Sequence, residues 1–206
     1  MQKKKDGGTR YKGHRKDGRR GKGMHSFDIK TKIYYGDGAL DRLTQIPYKK
    51  VMIITDPFVV QSGMVMMITS RLDEAKIEFE VFKDVVPDPP IDKVVAGVKA
   101  VMDYKPEAIV AVGGGSAIDS AKAIREFASR VGGLDNIALI AVPTTSGTGS
   151  EVTAFSVITD HSRDYKLTVF SYELLPAYAF LDADLITTAP ASVAAACGID
   201  AFIHAE

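Results

Sequence analysis

Residues 108–122 read AIVAVGGGSAIDSAK, in which an apolar run leads through three glycines into a helical pattern. The run 109–112 predicts a buried strand, and Ser116 is predicted to cap the helix that follows. Glycines at such a junction let a ligand approach the backbone, where N–H groups and the positive end of the helix dipole favour an anion. The stretch therefore predicts a phosphate site, with a simple tight turn as the alternative.

Apolar runs of strand length alternate with helical patterns along the chain on both sides of this stretch. Because these runs are continuously apolar, they are typical of strands buried on both faces in parallel βαβ units. We therefore expect a doubly wound, Rossmann-like α/β domain over residues 24–188. Strands are predicted at 33–35, 51–55, 79–82, 109–112, 138–142, 155–159, 167–170 and 177–181, helices at 39–45, 91–104 and 116–130, two further helices before 76, and a proline-rich loop at 86–90.

Three polar segments follow predicted strands. Asp56 follows the strand 51–55, the glycines follow 109–112, and PTTSGTGSE (143–151) follows the strand that ends at Val142. Ligands of open α/β sheets bind outside the carboxyl ends of the strands. The three segments are therefore expected to converge on one crevice.

Composition excludes several classes of protein. Cys197 is the single cysteine, so an internal disulfide and a multi-cysteine zinc site are both excluded, and any metal must be held by His, Asp or Glu. The chain has no apolar run of about 18 residues and no secretory signal pattern at its N-terminus. We expect a cytoplasmic protein without membrane partners.

The N-terminal segment 1–23 is strongly basic, with ten Lys or Arg against Asp6 and Asp17, while the whole chain has a net charge of zero. Its glycines and near lack of apolar residues predict a disordered tail. An arm that binds nucleic acid or an acidic membrane is the functional alternative. We favour a solvated extension, with no nucleic-acid partner and with Met24 as the start of the globular pattern.

A last helix is predicted from Pro190 to the end of the chain. Asp200 and His204 lie four residues apart on it and so share one face. Such a pair is compatible with an ordinary surface contact, or with two of the ligands of an Fe(II) or Zn(II) ion.

Taken together, GGGSAIDSAK (113–122), PTTSGTGSEVT (143–153), FLDADL (180–185) and GIDAFIHAE (198–206) resemble the iron-containing (group III) alcohol dehydrogenase family. Within the family the chain is most similar to propanol and propanediol dehydrogenases. The resemblance implies a dehydroquinate-synthase-like fold, in which an N-terminal cofactor domain precedes an all-helical domain and a divalent metal lies between them. It also implies that residues 189–206 are only the first helix of the helical domain.

The resemblance carries over to individual residues. Asp56 matches an acid near the adenosine ribose, and a carboxylate there would accept from a ribose 2′-hydroxyl and repel a 2′-phosphate, which favours NAD over NADP. Asp200 and His204 match two of four metal ligands, the other two being histidines of the helical domain. The remaining cofactor-binding residues implied by the resemblance are Gly113, Gly114, Gly115, Ser116, Asp119, Thr144, Thr145, Thr148 and Lys166.

The implied function is that of an NAD-dependent, iron-dependent alcohol dehydrogenase that acts on a small alcohol or aldehyde, with a homo-oligomer as the expected assembly of the full-length protein. The chain as given is expected to be an N-terminal portion that is inactive alone. Alternatives are a glycerol dehydrogenase-like zinc enzyme and a catalytically silent nucleotide-binding module. Asp88 departs from the asparagine that many members carry near the cofactor, which puts one polar contact in doubt.

Overall fold

The computed structural model describes residues 29–187 and 189–205. The predicted disordered tail 1–23 and the proposed start at Met24 lie outside these residues. A sheet of six parallel strands runs in the order β1-β8-β5-β4-β2-β3 and confirms the doubly wound α/β prediction. Its strands are β1 (Lys32–Tyr35), β2 (Lys50–Thr55), β3 (Glu78–Phe82), β4 (Ala108–Gly113), β5 (Ala138–Pro143) and β8 (Tyr178–Leu181).

The helices lie close to the predicted ranges. The segment 39–45 is helical as predicted, but it is a 3-10 helix, Ala39–Gln45. Further 3-10 turns are Ser150–Val152, Tyr172–Leu174 and Ala183–Leu185. The α-helices are α1 (Pro57–Gln61), α2 (Val65–Glu74), α3 (Ile91–Tyr104), α4 (Gly115–Gly132) and α5 (Ala191–Ala205).

Two apolar layers cover the faces of the sheet, and β4 shows how the sequence creates them. Successive side chains of a strand point to opposite faces. Ile109 and Ala111 pack in the layer formed with α3 and α4, whereas Val110 and Val112 pack in the layer formed with α1, α2 and the first 3-10 helix. Every residue of β4 is buried, which explains its continuous apolar composition.

A second, separate sheet consists of two antiparallel strands, β6 (Phe155–Asp160) and β7 (Tyr165–Phe170). Both runs were predicted as strands, but their pairing outside the main sheet was not. The hairpin is attached to the loop that follows β3, because the Thr159 N–H donates to the Pro89 carbonyl at 2.8 Å.

Helix α5 differs from the other helices in its burial. None of its fifteen residues is buried, although it contains Ile199, Phe202 and Ile203, each more than 60% exposed. Within the described residues, no helix is long and apolar enough to cross a membrane.

Candidate nucleotide-binding site

The site lies where the order of the sheet reverses. β2 and β4 are neighbours, yet the chain leaves β2 towards the edge strand β3 and leaves β4 towards β5 on the other side. The connections therefore diverge at the carboxyl ends of β2 and β4, which opens a crevice at the topological switch point.

Three glycines form the turn from β4 into α4. Gly113 has φ +147°, and a Cβ there would lie 2.6 Å from the Cβ of Ala117, so strand and helix approach too closely for a side chain. Gly114 occupies the N-cap position and α4 begins at Gly115, so the prediction that Ser116 caps the helix is wrong. The physical reason is that the glycine run lets the helix begin earlier than the first hydroxyl residue.

The loop 144–148 lies directly over the glycines. The Thr144 N–H donates to the Gly113 carbonyl at 3.0 Å. A Cβ on Gly114 would lie 3.2 Å from the Thr145 side chain, and one on Gly115 would lie 2.8 Å from Thr148 Cγ2. The first N–H groups of an α-helix have no acceptor within the helix, so those of Gly115 and Ser116 can bind an anion, whereas the Ala117 N–H donates to the Gly114 carbonyl at 3.0 Å. Glycines and threonines thus form a narrow cradle at the positive end of α4.

Asp56 is placed beside this cradle by α1. Its Oδ1 accepts from the Val59 N–H at 3.0 Å and so caps that helix, with Pro57 at the first helical position. Its Oδ2 lies 3.3 Å from the point where a Cβ of Gly113 would stand. One carboxylate oxygen therefore caps α1 while the other faces the glycine turn.

A cavity of about 710 Å³ brings these elements together. A cavity of this size is within the range that binds a small molecule or a cofactor. Seven of the predicted cofactor-binding residues line it, namely Asp56, Gly114, Gly115, Ser116, Thr144, Thr145 and Thr148. Gly113 lies buried beneath it as the last residue of β4.

The remaining wall of the cavity was not predicted. Val85, Val86 and Pro87 line it from the loop after β3, and Val193 and Cys197 line it from α5. The β3 loop could have been found from sequence, since it also follows the carboxyl end of a predicted strand. These apolar side chains add a hydrophobic part to the lining, which suits an aromatic ring.

Asp119 is not among the residues that line the cavity. Its carboxylate accepts from the Ser150 hydroxyl and from the Val157 N–H, the latter at 3.1 Å, and its carbonyl accepts from the Ser156 hydroxyl at 2.7 Å. Burial raises the pKa of Asp119, while the Ser150 and Val157 hydrogen bonds and the Lys122 charge oppose that rise. Through these hydrogen bonds, Asp119 connects α4 to the start of the hairpin.

Lys122 completes this connection and was missed by sequence reasoning. The side chain is fully buried, and its Nζ donates to Ser150 Oγ at 3.1 Å, to Thr153 O and Oγ1 at 2.9 and 3.1 Å, and to Phe155 O at 2.7 Å. Asp119 Oδ1 lies 3.9 Å away. Burial lowers the pKa of Lys122 to about 8, against the opposing effect of the Asp119 and Glu151 charges.

Lys166 also lies outside the cavity lining. Its ammonium pairs with Asp88 at 2.8 Å, joining β7 to the loop after β3. Hydrogen bonding to Lys166, reinforced by its charge, lowers the pKa of Asp88. Asp88, where many family members carry asparagine, thus pairs with the lysine that the resemblance assigns to the ribose.

Asp200 and His204 form a pair on α5, with Oδ1 and Nε2 3.4 Å apart and both side chains substantially exposed. A carboxylate oxygen and an imidazole nitrogen are suitable donors for Fe(II) or Zn(II), but a tight site needs three or four protein ligands. Across residues 29–187 and 189–205, no group of three or more His, Cys, Asp or Glu is arranged to hold a metal. The donor chemistry fits a metal, and the pair supplies part of a site.

Comparisons with known proteins identify the family to which this chain is similar. The family model described as iron-containing alcohol dehydrogenase matches residues 30–183. 1-Propanol dehydrogenase from Citrobacter freundii is 39% identical over 182 residues, covering 88% of this chain and 49% of the relative. NADPH-dependent butanol dehydrogenase from Clostridium saccharobutylicum is 36% identical over 197 residues, covering 88% of this chain and 51% of the relative.

A solved structure of a 1,3-propanediol oxidoreductase is similar to this fold with a TM-score of 0.81 and 30% identity, covering 88% of this chain and 52% of that one. These matches confirm the resemblance inferred from the four motifs. The chain spans about half the length of the curated relatives it matches.

Proposed function

The chain belongs to the iron-containing alcohol dehydrogenase family, and from this premise we propose that it is the NAD-binding portion of an alcohol dehydrogenase. The observation that carries the proposal is the cradle at the switch point, where glycines too crowded for side chains lie against Thr145 and Thr148 in the lining of the cavity. Such a cradle fits a pyrophosphate, because backbone N–H groups and the helix dipole both favour an anion there.

Asp56 orients the adenosine end of the nucleotide. Its Oδ2 faces the glycine turn and is available to accept from a ribose 2′-hydroxyl, whereas a 2′-phosphate would be repelled by the carboxylate. One relative is named NADPH-dependent, so family membership alone does not fix the coenzyme. The preference for NAD over NADP therefore rests on Asp56.

The apolar wall provided by the β3 loop and α5 would hold the nicotinamide ring. Val86, Pro87 and Val193 contribute apolar side chains to the lining of the cavity. Excluding water from that side strengthens the interactions that position a substrate against the ring. Small primary alcohols or diols are the proposed substrates, because relatives named for 1-propanol and 1,3-propanediol are among the matches.

Asp200 and His204 would hold the metal, with the two further histidines that the family resemblance assigns to the helical domain. An Fe(II) or Zn(II) ion bound there supplies Lewis-acid chemistry towards the oxygen of the alcohol. Residues 24–188 would thus form the cofactor domain and 189–206 the first part of the metal-binding domain. A nucleotide-binding module without catalysis is the second candidate, because the described residues bring Asp200 and His204 together but hold no cluster of three or more metal donors.

The test uses a protein in which this chain is followed by the corresponding second half of its relatives. We expect it to reduce NAD⁺ in the presence of 1-propanol and to contain a divalent metal. His204→Ala should lose metal content and turnover together, whereas the control His161→Ala, at an exposed turn of the hairpin, should keep both. Turnover that survives His204→Ala would contradict the assignment, and nucleotide binding without any turnover would favour the silent module.

A further inference from the structure

Helix α5 comes close to the loop of the cofactor cradle at Gly147. A Cβ on Gly147 would lie 2.9 Å from the Cα of Cys197 and 3.0 Å from its carbonyl oxygen, and both atoms belong to the backbone of α5. Backbone atoms cannot rotate away as the end of a side chain can. Any side chain at position 147 therefore forces the helix and the loop apart.

Few other contacts hold α5 in place. No residue of the helix is buried, and the two that are least exposed are Cys197 and Asp200. A helix attached through so little buried surface is expected to open locally at low cost in free energy. Its position therefore depends on the close approach at Gly147.

The face of α5 that touches the cavity is also the face that carries the metal-ligand pair. Val193 and Cys197 line the cavity, and Asp200 and His204 continue the same series at spacings of four, three and four residues. Positions at these spacings share one side of a helix. A displacement of α5 at Cys197 therefore displaces Asp200 and His204 as well.

We infer that Gly147 is a positioning residue whose missing side chain lets α5 close one wall of the nucleotide cavity, which couples bound nucleotide to the placement of Asp200 and His204. The inference rests on the proposed function, since it assigns the cavity to a nucleotide. Residues of the cradle and of α5 line the same cavity, so NAD⁺ bound there would lie against both and should hold the helix in place. Conversely, displacement of the helix away from the cavity should lower the affinity for the nucleotide.

Cys197 provides the assay, because it is the single cysteine of the chain and lies at the contact itself. The rate of its alkylation by N-ethylmaleimide is measured on the 206-residue chain with and without NAD⁺. In Gly147→Ala we expect alkylation without NAD⁺ to be about tenfold faster, the factor that corresponds to typical overpacking strain. NAD⁺ should slow alkylation of the wild-type chain and have much less effect on Gly147→Ala.

Gly198→Ala is the matched control, since it makes the same substitution beside Cys197 where a Cβ would meet nothing within 4 Å. It should alkylate no faster than wild type and should keep the protection by NAD⁺. Melting temperatures and NAD⁺ titrations on all three proteins separate a displaced helix from a damaged domain, because only nucleotide protection and affinity report the coupling.

Equal alkylation rates for wild type and Gly147→Ala would overturn the inference, even if NAD⁺ binds and the proposed function stands. Absence of NAD⁺ binding to the wild-type chain would instead count against the proposed function. If Gly147→Ala does not fold, hydrogen exchange of Ala191–Ala205 in the wild-type chain decides the matter. Exchange that slows with NAD⁺ supports the coupling, and unchanged exchange overturns it.

Discussion

Replacement of Lys122 by methionine tests how the segment that leads into the hairpin is anchored to α4. Lys122 is fully buried and donates to four oxygens at 2.7–3.1 Å, two of them backbone carbonyls of Thr153 and Phe155. Methionine fills a similar volume and donates nothing. The two carbonyls lose a donor and the Asp119 carboxylate loses its neighbouring cation.

The cost follows from these contacts. A buried acceptor left without a partner costs about 1–3 kcal/mol, and removal of one member of a buried ionic contact costs about 3–5 kcal/mol in all. We expect Lys122→Met to lower the free energy of unfolding by about 3–5 kcal/mol, a large part of the roughly 5–15 kcal/mol available to a domain. Lys122→Met combined with Asp119→Asn should recover part of the loss, because the unpaired carboxylate is then absent.

The assay is urea unfolding followed by circular dichroism, with Lys99→Met as the matched control. Lys99 is an exposed residue on α3, so its replacement should change the free energy of unfolding by less than about 0.5 kcal/mol. A loss in Lys122→Met no larger than that in Lys99→Met would refute the reasoning that this buried cation fastens the hairpin to α4.

Three further results are expected. The folded-state pKa of Lys122, about 8, lies below its unfolded value of 10.5, so the unfolded chain binds more protons between these pH values. The free energy of unfolding of the wild-type chain should therefore rise with pH across that window, by on the order of 3 kcal/mol. Lys122→Met, measured in parallel, should lack this rise. Gly115→Ala should weaken NAD⁺ binding in calorimetry by about tenfold, and adding Thr148→Ser should recover part of the loss, because it removes the methyl group that lies 2.8 Å from the added Cβ and keeps the hydroxyl; an unaltered affinity in the single variant would remove Gly115 from the site. The 206-residue chain alone should retain little Fe(II) or Zn(II) after dialysis, with or without His204→Ala, because one carboxylate and one imidazole do not offset dehydration of the ion; metal held at one equivalent per chain would contradict this.

Local sequence pattern predicted those features whose causes are local. The continuous apolar run at 109–112 predicts a strand, and β4 extends one residue beyond it at each end; the helix predicted at 91–104 matches α3. The convergence of Asp56, the glycines and Thr145 also followed from strand ends alone, because parallel strands end at a common edge.

Features that depend on distant partners were not predictable in the same way. The acceptors of Lys122 lie 28 to 33 residues further along the chain, so its burial is invisible to helical periodicity. The pairing of β6 with β7 in a sheet of their own depends on packing against α4 and the β3 loop. The error at Ser116 arose because a hydroxyl is the usual cap, whereas a glycine can fill the N-cap position with little loss.

The measurement that tests the nucleotide assignment most directly is calorimetric titration of the chain with NAD⁺ and NADP⁺, for wild type and Asp56→Asn. Asparagine caps a helix about as well as aspartate, so the variant preserves the contact with Val59, while it removes the charge and replaces the second carboxylate oxygen by an amide NH₂. We expect wild type to prefer NAD⁺, and Asp56→Asn to shift the ratio of affinities towards NADP⁺ by about tenfold, as expected when one charge repulsion near the protein surface is removed. A wild-type preference for NADP⁺, or a ratio that Asp56→Asn leaves unchanged, would contradict the placement of the adenosine ribose beside Asp56.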